Sequence, residues 1–346
     1  MKEKVNRSYV HDLMERILLT PSPTGYCRQV IELLRVEAEK LGMSGRFLQK
    51  GGLIIDVPGT AADKTIGITG HVDTLGAIVR SIKPSGTLRL SPVGGYMMNS
   101  IEGEYCSIHT RGGDIYSGTI LTTKPSVHVF SDARDQKREE AVMEVRIDER
   151  VSSEQEVKAL GIRPGDFISF DPRFRSFGNG FVKSRHLDDK AGVAAMFGTL
   201  ELISRGEVKP LYPLKFIFSN YEEVGHGTSS IPSDISEMIA VDMGAIGDDL
   251  NGTEYGVSIC AKDSSGPYDY DMTSRLIELA ERDGIGYAVD IYPHYGSDAS
   301  AALRGGNDIR AACLGPGVSA SHGMERTHMD AVVQTAALLA LYVSEG

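Results

Sequence analysis

Between about Leu75 and Phe177 the chain stops alternating strands with helices. Short β-like stretches (AIVRSI, GTLRLS, SIHTR, SVHVF, MEVRID, DFISF) are punctuated by Gly, Pro, Ser and Asp, and only residues 153–160 have a helical pattern. That texture predicts a small β-rich module, a barrel or something close to one. On either side an α/β rhythm holds. Helical spacing marks 9–19 and 28–41 upstream, followed by strands at 53–57 and 65–69. Downstream, helices at 189–204, 268–282, 297–303 and 330–344 alternate with strands at 213–219, 238–243, 287–291 and 308–314. Strands alternating with helices imply a mostly parallel or mixed sheet sandwiched by helices. The expectation is one discontinuous α/β domain, 1–75 and 177–346, with a β-rich domain, 76–176, inserted into it.

Composition narrows the function. The formal net charge of −11 leaves no basic excess to neutralise phosphates, so no nucleic-acid partner is expected. No apolar run approaches the roughly 20 residues of a membrane span. The first residues, MKEKVNRSYVHDLMERILL, are charged and amphipathic rather than an apolar leader. Cys27, Cys106, Cys260 and Cys313 form no CxxC pair, which fits reduced, buried thiols better than a zinc ribbon or a disulfide framework. A cytoplasmic protein without a membrane partner is expected.

Several segments put His, Asp or Glu at predicted strand ends, where open α/β sheets build their sites. In His71-Val72-Asp73 the outer side chains share a face of an extended segment, so His71 can ligate a metal while Asp73 supports it. By itself the triplet is also what a chance turn looks like. His186-Leu187-Asp188-Asp189-Lys190 holds adjacent carboxylates, one of which can bridge two cations; an acidic helix cap reads the same way. Glu222-Glu223 follows the apolar strand PLKFIFS and suits one ligand plus one proton acceptor, or a solvated acidic turn. Asp242 ends the strand MIAVD, where an unpaired charge is costly to bury. It can serve a metal, an ion pair or a turn. His322 follows a glycine-rich loop, and His328 and His226 compete for its role. Together, His71, Asp188, Glu223, Asp242 and His322 make a reasonable nitrogen and oxygen set for two zinc-like ions.

The ordered set GHVD, HLDDKAG, NYEEVG, VDMG, YGSDAS and SHGMERTH resembles metallopeptidase family 42, the TET-type aminopeptidases that include glutamyl and deblocking enzymes. The opening LLTPSPTGY is similar too, and the likeness runs from about Leu18 to His322. The wide gap between Asp73 and Asp188 leaves room for an early inserted domain, which separates this pattern from that of single-domain relatives. The resemblance implies a zinc-aminopeptidase-like fold and two divalent ions per subunit, Zn²⁺ or Co²⁺. It implies that His71, Asp188 and Asp242 hold one ion and that Asp188, Glu223 and His322 hold the other, with Asp188 bridging. Glu222 falls at the general acid/base position and Asp73 behind His71. A cis peptide is implied between Asp188 and Asp189. Gly296-Ser297-Asp298-Ala299 resembles the family's G-T-D-A turn, which implies that Asp298 lines the substrate end. After His322 the pattern departs from many relatives, leaving the role of Glu325 open.

The implied activity is removal of N-terminal residues from short peptides through a metal-activated water, with Glu222 as general base. The implied assembly is a homo-oligomer in which the β domain makes dimers and six dimers make a tetrahedral dodecamer. A carboxylate glycoside hydrolase of the endoglucanase type is the rival enzyme. Adjacent Glu222 and Glu223 suit it poorly, because its two carboxyls must flank a glycosidic bond. A non-catalytic assembly protein of the same fold is the other alternative.

Overall fold

The strand Leu214–Ser219 reads Leu-Lys-Phe-Ile-Phe-Ser, and all of it except Lys215 is buried. A strand apolar on consecutive residues needs cover on both faces. The computed structural model, which describes residues 1–345, supplies that cover with helices around a ten-stranded mixed sheet. The strands run in the order Gly45–Phe47, Leu53–Val57, Leu214–Ser219, Thr65–His71, Ile235–Val241, Arg310–Val318, Val257–Asp263 and Gly266–Pro267. Tyr287–Ile291 also pairs with Val257–Asp263. The helix Leu187–Ser204 is buried along almost its whole length, and Met329–Glu345 packs against it. Arg7–Leu18, capped by Asn6 accepting from the Tyr9 amide, adds Val10, Leu13, Met14 and Ile17 to the same core.

The chain divides into two compact units. The larger takes Met1–Asp73 and the residues from Arg173 onward. The smaller, Thr74–Pro172, is a closed six-stranded barrel. Its strands follow the order Gly76–Ile82, Leu88–Val93, Met143–Ile147, Ile115–Thr122, Tyr105–His109 and Phe167–Phe170, and its interior holds Val79, Leu90, Ile108, Ile120, Val145 and Ile168. Among the described residues no helix is long and apolar enough to cross a membrane.

Three differences from the sequence reading bear on the site. Val257–Asp263 is a strand that its short apolar stretch did not reveal, and it runs antiparallel to Arg310–Val318. The strand expected to stop at Leu314 continues through Gly315-Pro316-Gly317 to Val318. Those glycines mark close approach rather than a turn: a Cβ on Gly315 would lie 1.9 Å from the Asp242 carbonyl oxygen. A small sheet of Arg175–Ser176, Phe181–Ser184 and Glu325–His328 joins segments far apart in sequence.

Candidate active site

Leu214–Ser219, Thr65–His71, Ile235–Val241 and Arg310–Val318 are parallel neighbours. Their C-terminal ends therefore lie side by side along one edge. Each delivers part of the predicted set: Glu222 and Glu223 follow the first strand, His71 ends the second, Asp242 follows the third, and His322 lies beyond the fourth. Asp188 joins them from the start of Leu187–Ser204, and its bond to Asp189 is cis. Thus His71, Asp188, Glu222, Glu223, Asp242 and His322 come to one place.

The contacts there are short. His71 Nδ1 lies 2.9 Å from the Asp73 carbonyl oxygen, so that nitrogen carries the hydrogen. In a neutral ring Nε2 would then present a lone pair to Asp188 Oδ1 at 3.1 Å. Two acceptors at that distance call for a proton or a metal cation between them. The other Asp188 oxygen faces His322 Nε2 at 3.4 Å, which is also 3.4 Å from Glu223 Oε2. Asp188 therefore stands between two imidazoles, one at each oxygen. Ligand atoms of His71, Asp188 and Glu223 all lie within 4.8 Å of one another. Glu222 Oε2 lies 3.7 Å from His71 Nε2.

Burial and crowding set the electrostatics. Burial first, then the Asp188 charge, pushes the Glu223 carboxyl up to about 8 and Asp242 up to about 7. Burial also drives Glu222 well above the carboxylate range, with Asp242, Asp298 and Glu223 adding to it against His71. Burial works against a charged His71, yet Asp188, Glu222, Asp73 and Asp242 drive it well above the usual imidazole range. Asp188 is held below the carboxylate range by its two imidazoles, against the opposing effect of burial. Lys190 does not neutralise this cluster through a direct bond, because its buried ammonium donates to the Thr20 carbonyl at 2.8 Å. Four carboxylates facing two imidazoles in a buried site suit divalent cations, and oxygen with imidazole nitrogen is a donor set such ions accept. The residues fit the metals that the family resemblance implies.

Two expected roles sit differently. The Asp73 carboxylate is 3.7 Å from His71 Nδ1. It instead accepts the Thr24 hydroxyl at 2.7 Å and the Glu222 and Glu223 amides at 3.2 and 3.3 Å, so it holds the glutamate turn. Asp298, expected to line the substrate end, is buried away from the cavity wall. Its carboxylate accepts the Thr69 and Ser219 hydroxyls and the Thr228 amide. Gly227 leaves room for it, since a Cβ there would come within 2.2 Å of Asp298 Oδ1.

The cluster opens into a cavity of 510 Å³ whose wall also includes Met243, Leu250, Tyr292, Tyr295 and Arg304. Sequence reasoning gave none of these wall residues a role, although Met243 and Tyr295 sit inside the quoted VDMG and YGSDAS segments. It also missed Ser321, whose hydroxyl donates to Asp188 Oδ2 at 3.3 Å. Most of them lie on loops, and Arg304 closes the short helix Asp298–Arg304, so no periodicity marks them as cavity wall.

Residues 51–338 match the family model described as M42 glutamyl aminopeptidase. The chain belongs to that family. Among M42 relatives, "Putative aminopeptidase YhfE" of Bacillus subtilis is 46% identical over 333 residues, 96% of each chain. The lysyl aminopeptidase of Pyrococcus furiosus is 24% identical over 62% of this chain and 60% of its own. The fold matches an aminopeptidase from the archaeon Desulfurococcus kamchatkensis with a TM-score of 0.87 at 22% identity, over 98% of this chain and 96% of that one. It matches the Pyrococcus horikoshii TET1 peptidase with a TM-score of 0.84 at 23% identity, over 97% and 100%. At those identities the structural likeness speaks for the fold alone. Family membership makes this M42 protein a peptidase of the aminopeptidase type.

Proposed function

We propose that this protein is a dinuclear metal-dependent aminopeptidase that removes N-terminal residues from short peptides, with Glu222 as its general base. The observation that carries this reading is Asp188, buried with one imidazole at each carboxylate oxygen. That arrangement suits a carboxylate shared by two ions. His71 and Asp242 would complete one ligand set, and Glu223 and His322 the other. Two divalent ions, zinc or cobalt, would supply the Lewis acidity that makes water nucleophilic near neutral pH and polarises the scissile carbonyl.

The remaining work falls to the chain. Glu222 borders the cavity and its side chain is partly open to it, at 14% exposure. Its place beside His71 and open to the cavity suits a group that takes a proton from water and returns it to the leaving amine. Asp73 fixes the Glu222 and Glu223 backbones, so the base and its ligand neighbour stay in register. The mixed polar and apolar cavity is roomy enough for a first side chain. The Glu222→Gln variant should keep its metal and lose about 10²–10⁴-fold in kcat. An aminoacyl-p-nitroanilide assay after metal reconstitution reads this, and near-normal turnover would sink the assignment.

Assembly into TET-type particles belongs to the same proposal, with the barrel as the dimerising module. Exposed Met97, Tyr105, Ile115, Val127 and Val129 on that unit support it. So does the Pyrococcus horikoshii TET1 peptidase, described as assembling into a tetrahedron or a large octahedral shell. Light scattering that finds only monomers would remove this part.

A further inference from the structure

Glu325 opens the strand Glu325–His328, which pairs with Phe181–Ser184 so that Ser184 lies opposite Glu325. Ser184 in turn leads through Arg185, His186 and Leu187 to Asp188. The pairing thus fixes Glu325 beside the approach to the bridging carboxylate. Its own carboxylate is 2% exposed and faces two backbone amides. Oε2 accepts the Asp188 amide at 3.1 Å, and Oε1 accepts the His322 amide at 3.0 Å.

The two amides belong to neighbouring members of the cluster that come from distant parts of the sequence. Asp188 follows His186, which has φ of 70°; His322 has φ of 62°, and nearby Ala320 has φ of 58°. These are left-handed conformations that L-residues seldom hold without support. One more carboxyl next to Asp188 is also unfavourable on charge alone. Both features make sense if the carboxylate serves the two backbones rather than the cavity.

We propose that Glu325 is a positioning residue of the metal site: its two oxygens tie the backbones of Asp188 and His322 and so set the spacing of the groups that hold the ions. The inference rests on the proposed metal-dependent function. It assigns Glu325 no contact with substrate or ion. Hydrogen-bonded supports of this kind commonly affect metal affinity by 10–100-fold.

The test measures zinc affinity of the metal-free full-length protein by chelator competition, together with the absorption spectrum of the Co²⁺ form and the melting temperature before metal is added. Glu325→Gln keeps the volume but can accept only one of the two amides. Glu325→Ala accepts neither. Zinc affinity should fall about 10-fold for the first and towards 100-fold for the second, with a changed Co²⁺ spectrum. A purely architectural role would lower the metal-free melting temperature and leave affinity and spectrum unchanged. Should Glu325→Ala fail to fold, Glu325→Gln and Glu325→Asp carry the comparison. Wild type that takes up two zinc ions, beside folded variants with the same affinity and spectrum, overturns this inference alone. Wild type that binds no zinc overturns the proposed function and this inference with it.

Discussion

Glu237 lies near the start of Ile235–Val241, and Asp242 lies just past its end. Both are buried, at 1% and 6% exposure. Glu237 has its counter-charges built in. Lys64 Nζ donates to both oxygens at 3.0 Å, the Arg310 guanidinium donates to one of them, and the Tyr342 hydroxyl reaches the other at 3.3 Å. At the opposite end of the same strands, the partners of Asp188 and Glu223 are imidazoles, themselves good metal ligands. One edge of the sheet neutralises its carboxylate with fixed cations. The other gathers carboxylates around two imidazoles, a donor set that divalent cations accept. Charge paired internally supports a fold, while charge held back from pairing marks a site.

Removing the central carboxylate should break that contrast most severely. Asp188→Asn removes the charge and turns one of the two oxygens that the imidazoles face into an NH2 donor. It should lose bound metal and activity together, as read by elemental analysis and the aminoacyl assay. Retained metal in this variant would mean that Asp188 is not the bridge. At the paired edge, Glu237→Gln should have the opposite signature. Lys64 and Arg310 keep 22% and 50% of their side-chain surface, so the cations left behind can still reach water. The cost should be about 1–3 kcal/mol of stability by denaturant titration, with metal content and kcat unchanged. A fall in kcat at constant metal content would show that the two edges are coupled.

The sequence makes some of this contrast legible and hides the rest. His71, Glu222, Glu223 and Asp242 are readable because they close or follow apolar strands whose ends are easy to see. What each support carboxylate touches is not readable. Asp73 turned out to hold the Glu222 and Glu223 amides, and Asp298 the Thr69 and Ser219 hydroxyls, because Thr65–His71 and Leu214–Ser219 are neighbours in the sheet. That adjacency is a matter of topology over well more than a hundred residues. Val257–Asp263 was missed for a similar reason: its partners, rather than its own period, make it a strand. Which acidic and imidazole side chains gather was local enough to read, and what supports them was not.

The gentlest probe of the contrast is pH. In the metal-free protein, Glu223 titrates near 8 and Asp242 near 7, because both are buried beside the Asp188 charge. In the unfolded chain such carboxyls titrate near 4. Between those values the folded protein holds protons that the unfolded chain has released, so stability falls as pH rises. His71 acts in the same direction. Its folded proton affinity is raised, so the stabilisation it brings is present at low pH and lost as pH climbs through its folded value. Asp188 is shifted downward and acts oppositely, but only below about pH 4, where its unfolded counterpart begins to protonate. The chelated protein should therefore melt several degrees lower at pH 8 than at pH 5.5. Bound divalent ions favour the ionised carboxylates, so adding Zn²⁺ should raise the melting temperature most at the alkaline end and flatten the profile. Differential scanning fluorimetry across that range, with and without chelator, reads both curves. Parallel curves would mean that the metal binds somewhere other than among these carboxylates, and the carboxylate-rich edge would then need another explanation for its buried charge.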